Sequence, residues 1–125
     1  MNRTGVSSGD PFEEDYGYAR AVRVGNQIFV SGTTARAPQL DGDAFEQMMS
    51  AIAIIAAALD EAGAQLRHVV RTVVYIVDMA DVHNVARAHR RAFGDRRPAS
   101  TLVQVAALTP ASARVEIEVT AIVDD

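Results

Sequence analysis

The sequence predicts an α+β fold, a sheet that packs both of its helices on one face. Three observations predict it: two short β-branched runs parted by a turn, two segments with helical apolar spacing, and the order β-β-α-β-α-β-β along the chain. The chain has 125 residues, 49% of them hydrophobic and 22% charged, which suits a single domain rather than two.

Residues 1–17 mix Gly, Ser, Pro and acidic residues without periodicity and are expected to be irregular, leaving one domain over residues 18–125. Ala19 to Val24 and Gln27 to Ser31 are short, rich in Val, Ile and Phe, and parted by Gly25-Asn26, the pattern of a tight hairpin. Alternation then puts Arg23, Phe29 and Ser31 in register on one face of that hairpin. Gly32 to Gly42 reads as a loop. Asp43, followed three residues later by Glu46, predicts a capping box and the start of a long helix. Phe45, Met48, Met49, Ile52, Ile55, Ala56, Leu59 and Ala62 follow helical spacing, and Gly63 stands where a left-handed terminating residue is wanted. Val69 to Asp78 is a β-branched run long enough for a central strand. Asp81 is expected to cap a second helix, whose Val82, Val85, His89 and Phe93 form a stripe ending at Gly94. Thr101 to Leu108 and Val115 to Val123 complete the sheet. In the last strand Val115, Ile117, Val119, Ala121 and Val123 suit the core, while Glu116, Glu118, Thr120 and Ile122 point the other way, toward water or a partner.

Composition narrows the chemistry. All 12 basic residues are Arg, so Schiff-base lysine chemistry is excluded and every cation is a planar, permanently protonated fork. The absence of Cys removes disulfides, thiol nucleophiles and cysteine-ligated metals. A net charge of −4 disfavours a sequence-independent grip on nucleic acid. His83 and His89 lie six apart on a helix and face different ways, so neither they nor His68 make a metal signature. No apolar run reaches the length of a membrane span, and the polar start lacks a secretory signal, so a cytoplasmic location is the expectation.

Six separated segments in fixed order carry a resemblance: Tyr18-Ala19-Arg20-Ala21-Val22, Ile28-Phe29-Val30-Ser31-Gly32, Leu59-Asp60-Glu61-Ala62-Gly63, Val70 to Asp78, Pro98-Ala99-Ser100-Thr101 and Val115-Glu116-Ile117-Glu118. Over roughly Tyr18 to Val123 the sequence resembles the RidA family, also called YjgF or L-PSP. The resemblance implies a chorismate-mutase-like mixed sheet, assembly as a homotrimer, and ligand clefts at the subunit interfaces. It further implies hydrolysis of an enamine or imine such as 2-aminoacrylate or its 2-imino acid tautomer, with no cofactor and no metal.

Carried over residue by residue, the resemblance assigns Glu118 to orienting the attacking water and places Ser31 and Tyr18 in the cleft as its other catalytic candidates, with Gly32 binding substrate. Each has an ordinary structural role available, in a strand-end hydrogen bond, in packing, or on a solvated strand face. The departure is at Ser100, which occupies the position of the family's cleft arginine, and Ala86 stands where many active members carry asparagine. One neutral hydroxyl supplies about 0.5–1.5 kcal/mol net, against the two charge-assisted bonds of a guanidinium fork. Arg36, on the loop after Ser31-Gly32, is the preferred substitute binder, with Arg20, Arg96 and Arg97 as the other choices. The expected partners are further copies of this chain and a small metabolite, a carboxylate among the candidates. Three readings follow: a deaminase-like hydrolase with an altered substrate, a catalytically silent trimer that binds a metabolite, and an endoribonuclease using Arg87, Arg90, Arg91, Arg96 and Arg97. The first is preferred because Tyr18, Ser31 and Glu118 are present, and the last is disfavoured by acidity and few aromatics.

Overall fold

The computed structural model describes residues 2–124. Six strands form one mixed sheet: β1 (Arg3–Val6), β2 (Ala21–Val24), β3 (Gln27–Thr33), β4 (Val69–Ile76), β5 (Ala99–Gln104) and β6 (Val115–Ile122), in the order β1-β2-β3-β6-β4-β5. All neighbours are antiparallel except β4 and β5, which run parallel and are joined through a helix. Three helices accompany them: α1 (Pro11–Tyr16), α2 (Ala44–Glu61) and α3 (Val82–Phe93). The predicted α+β sheet with two long helices on one face is present, and its core is the seam between sheet and helices. Met48, Ile52, Ile55 and Leu59 of α2, with Val85 and Phe93 of α3, meet Ile28, Val74, Ile76, Val115 and Ile117 of the sheet, all buried.

The segment ahead of Tyr18 holds two regular elements where irregular chain was expected. Arg3–Val6 pairs antiparallel with β2, and Asp10 caps α1 by accepting from the Phe12 amide, with Pro11 opening the helix and Gly17 closing it at φ 88°. A four-residue strand and a six-residue helix are too short for periodicity to register, which is why composition alone read as loop.

The predicted boundaries of α2 hold. Asp43 accepts from the Glu46 amide at 2.8 Å while Glu46 reaches back to the Asp43 amide, a complete capping box. At the other end the Ala64 amide reaches Leu59 O at 2.8 Å across Gly63, whose φ is +86°. Gln47, buried in the middle, donates to the carbonyls of Leu40, Gly42 and Ser112 and accepts from the Arg114 amide, pinning the segment before β6 onto α2.

Three expectations are corrected. Arg23 pairs with Ile28, and Phe29 with Val22, so Arg23 faces the helices rather than sharing a face with Phe29 and Ser31. Its Nη1 donates to Ala62 O at 2.7 Å, capping the C-terminus of α2 with charge. Asp81 does not cap α3 with its side chain. It pairs with Arg114 at 3.2 Å, while Asp78 caps the short 3-10 turn ahead of α3 by accepting from the Ala80 amide. Strand β5 begins two residues before Thr101 and stops at Gln104, because its partner β4 ends at Ile76.

Along β6 the expected alternation is present. Val115, Ile117, Val119 and Ala121 are buried, while Glu116, Glu118 and Thr120 stand half-buried on the open face with exposed Phe29, Val103 and Ile122. Between β3 and β6 the register jumps: Val30 opposes Val119 and Thr33 opposes Ile117, leaving one extra residue at Ser31-Gly32.

Candidate functional site

That bulge is where the site begins. A strand that inserts a residue bends and re-aims its side chains, and here both flanking residues, Val30 and Thr33, stay buried while Ser31 and Gly32 open onto a cavity of about 810 Å³. Its walls come from the bulge, the following loop with Arg36, the α1 region with Asp10, Phe12, Tyr16 and Tyr18, and the open face of β6 with Glu116 and Glu118. The structure therefore brings together Tyr18, Ser31, Gly32, Arg36 and Glu118 from distant parts of the chain.

Ser31 Oγ donates to Ala19 O at 2.7 Å, which spends its proton on the backbone and leaves its lone pairs to the cavity. Glu118 accepts from the Tyr75 hydroxyl at 2.6 Å. That bond, followed by burial and the charges of Glu118 and Glu116, pushes the Tyr75 pKa up to about 12, so Tyr75 stays a donor across the neutral range. The Glu116 carboxyl makes no hydrogen bond among the described residues and fills the space beside Gly32: a Cβ on Gly32 would lie 2.9 Å from it. Burial raises the Glu116 pKa, the neighbouring Glu118 charge raises it further, and Arg20 opposes both.

Arg20, two residues after Tyr18, is buried at 2% exposure. Its Nη1 donates to Gly32 O at 2.8 Å and Thr33 Oγ1 at 3.0 Å, Nη2 to the Tyr18 hydroxyl at 2.7 Å, and Nε to Glu13 at 3.3 Å. Glu13 is buried too, and burial alone would raise its pKa. Hydrogen bonds from the Ser8 hydroxyl, Ser8 amide and Ser7 hydroxyl, with the Arg20 charge, bring it below the ordinary carboxylate value. Arg36 is committed to Ser8 O at 3.2 Å, to the Ser8 hydroxyl, and to Asp10 at 3.8 Å.

Ser100 is not among these residues. The parallel pairing of β4 and β5 sets Ser100 opposite Thr72, on the helix side of the sheet, where Thr72 Oγ1 bonds Ser100 Oγ at 2.7 Å and His89 Nε2 at 2.9 Å. Ser100 and His89, with Ala86, Arg90, Phe93 and Arg97, line another cavity of about 480 Å³. Burial lowers the His89 pKa, favouring the neutral ring. Ser100 and Ala86 thus share one cavity, and Tyr18, Ser31 and Glu118 share another.

Sequence reasoning passed over Glu116, Tyr75, Phe12, Tyr16 and the organising role of Arg20. The signal for Tyr75 and Glu116 was present in strand alternation, since both fall on the open face of adjacent strands and oppose each other in register. Nothing in the sequence announced that α1 would wall the cavity.

The family model described as Endoribonuclease L-PSP matches residues 11–123. The chain belongs to this L-PSP family. The chain is similar to an L-PSP relative from Mus musculus named 2-iminobutanoate/2-iminopropanoate deaminase, 34% identical over 109 residues that cover 84% of this chain and 80% of that one. A RutC family protein of Pyrococcus abyssi is 37% identical over 81% of this chain and 82% of its own length. Among solved L-PSP folds, a Mycobacterium tuberculosis protein of the YjgF/YER057c/UK114 family superposes with a TM-score of 0.91 at 43% identity, covering 98% of this chain and 100% of that one.

Among the described residues no helix is long and apolar enough to cross a membrane, and no group of three metal-binding side chains is arranged to hold an ion.

Proposed function

We propose that this L-PSP protein is a small-molecule hydrolase of the deaminase type, acting on an enamine or imine other than 2-aminoacrylate or 2-iminopropionate, in clefts between the subunits of a homotrimer. The observation that carries this is the convergence of Tyr18, Ser31, Gly32 and Glu118 on one cavity. Hydrolysis of an imine forms a bond from the water oxygen to carbon and breaks the C–N bond, giving a carbonyl and ammonia. Glu118, steadied by Tyr75, takes one proton of the attacking water and passes it to the nitrogen, and as the resulting carbinolamine collapses its hydroxyl proton follows the same route, so that both water protons leave on ammonia. Ser31 accepts from the substrate N–H, and Tyr18, already accepting from Arg20, turns its own proton toward the developing oxygen.

Two observations support assembly. Phe29, Val103 and Ile122 leave an apolar band exposed on the open face of the sheet. The Ser100 cavity and the Glu118 cavity lie on different faces of one chain, so a cleft using both takes each half from a different copy. Sedimentation of the purified protein should give three chains per particle.

The activity is tested by generating imines in situ with an amino-acid or amine oxidase and following their decay with native protein, Ser100→Arg and Glu118→Ala. The expected result is acceleration by native protein of an imine other than 2-iminopropionate, its loss in Glu118→Ala, and a gain toward 2-iminopropionate in Ser100→Arg. If no imine decays faster with native protein, the hydrolase reading falls and a silent metabolite-binding trimer takes its place.

A further inference from the structure

The Glu118 cavity has an unusual balance of charge for a site that is to receive a small acid. Of its two arginines, Arg20 is sealed from solvent, with four of its N–H bonds directed at Glu13, Gly32 O, Thr33 and Tyr18. Arg36 is held by Ser8 and Asp10. Arg20 offers no free fork to an incoming carboxylate, and the charge of Arg36 is shared with Asp10. The acidic side is uncommitted: Glu118 has only the neutral Tyr75 hydroxyl, and Glu116 has no hydrogen-bond donor among the described residues.

The neutral groups lean the same way. Ser31 donates its O–H to Ala19 O, so toward the cavity it is an acceptor and suits an N–H donor. Phe12 and Tyr16 stack with ring centroids 5.6 Å apart and planes 6° from parallel, and Tyr18 meets them edge-on at 6.2 and 5.8 Å. Phe12 is 47% and Tyr16 74% exposed, so their faces are open to a ligand. Aromatic faces attract cations and repel anions.

We infer that the cavity's ligand is a planar organic cation and, resting on the hydrolase reading above, that the substrate is an iminium whose skeleton carries no carboxylate. An α-carboxylate seated at Gly32 would meet the Glu116 carboxyl in the space a Cβ would fill, whereas an iminium N–H placed there pairs with Glu116, Glu118 and Ser31 together. Burial makes Glu116 retain its proton more strongly than usual, and a bound cation supplies the positive charge that the proton otherwise brings.

The test uses the native assembly, so that any arginine a second copy delivers is present. N-methylguanidinium and acetate, planar ions of opposite sign, are titrated against protein labelled at the glutamate side-chain carboxyls, and binding is read from those resonances. The expected result is saturable binding of N-methylguanidinium about tenfold tighter than acetate, weakened about tenfold by Glu116→Gln. Equal or tighter binding of acetate, or no change in Glu116→Gln, overturns the inference. Hydrolysis is then compared for benzaldimine, made enzymatically from benzylamine, and 2-iminopropionate, made from alanine. Preference for benzaldimine supports the inference. Preference for 2-iminopropionate overturns it and leaves the hydrolase reading standing. Cation binding with no acceleration of these imines or of any imine in the panel above supports the ligand class and overturns the hydrolase reading alone.

Discussion

Arg20 donates to the hydroxyl of Tyr18, two residues earlier, at 2.7 Å, and the same guanidinium holds Gly32 O and Glu13. A side chain at the start of β2 thereby sets the positions of cavity groups from three segments. Arg20→Met keeps most of the volume but leaves Glu13 buried without its charge partner, which should cost about 3 kcal/mol or more. Denaturant unfolding measures the loss. Arg20→Lys, restoring charge without the fork, should recover part of that stability but not the native cavity affinity.

Glu13 should make stability depend on acid. Its folded pKa lies below the unfolded value, so its contribution is fully present above the unfolded carboxylate pKa and fades as pH falls through the folded pKa. Glu13→Gln should be less stable at neutral pH and show a flatter fall in unfolding free energy on acidification, measured by denaturant melts at stepped pH.

Removing the Glu118 charge should be visible at Tyr75. With Glu118→Gln the principal cause of the raised Tyr75 pKa is gone, and its ionisation should move from about 12 back toward 10.0. The ultraviolet tyrosinate titration, with Tyr75→Phe as the blank for Tyr16 and Tyr18, reads this directly.

Gly32→Ala separates site from scaffold. The new Cβ would stand 2.9 Å from the Glu116 carboxyl, the far end of a flexible side chain that can swing away at small energetic cost. The melting temperature should stay within a few degrees of native, consistent with a change below about 1 kcal/mol, while turnover falls by tenfold or more, on the order seen for small misplacements of reacting groups.

Gly63→Ala should do the opposite. At φ +86° any Cβ is strained, and this one meets Arg23 Nη1 at 2.8 Å, the group that caps α2. A loss of about 1–2 kcal/mol is expected, with cavity binding unchanged.

How much of this was legible in the sequence depends on the reach of each signal. The α2 boundaries were, because Asp43, Glu46 and Gly63 act within a few residues of themselves. The alternation of β6 was, because one face of a strand must be dry. Arg23 was misplaced because pairing register depends on which residues flank the hairpin turn, and parity alone cannot say which face the helices will cover. Tyr18, Ser31 and Glu118 came from family positions, and the structure brings them to one cavity. The partition of Ser100 from that cavity depends on the parallel β4–β5 register, a long-range fact with no local trace. Glu116 escaped notice because a strand glutamate is ordinarily solvated, and only the missing side chain at Gly32 makes room for it.

The strand order has a consequence for how the molecule comes into being. β1, β2 and β3 form one half of the sheet and β4 and β5 the other, and among the described residues the strand that joins them is β6, the last of the six in chain order. Until Val115–Ile122 leaves the ribosome, the nascent chain holds two half-sheets with open inner edges, the state in which strands pair with the wrong neighbours. Glu116 and Glu118 lie on that closing strand. Completion of the fold and arrival of the cavity's carboxylates are therefore one event, and a chain cut before Val115 has neither.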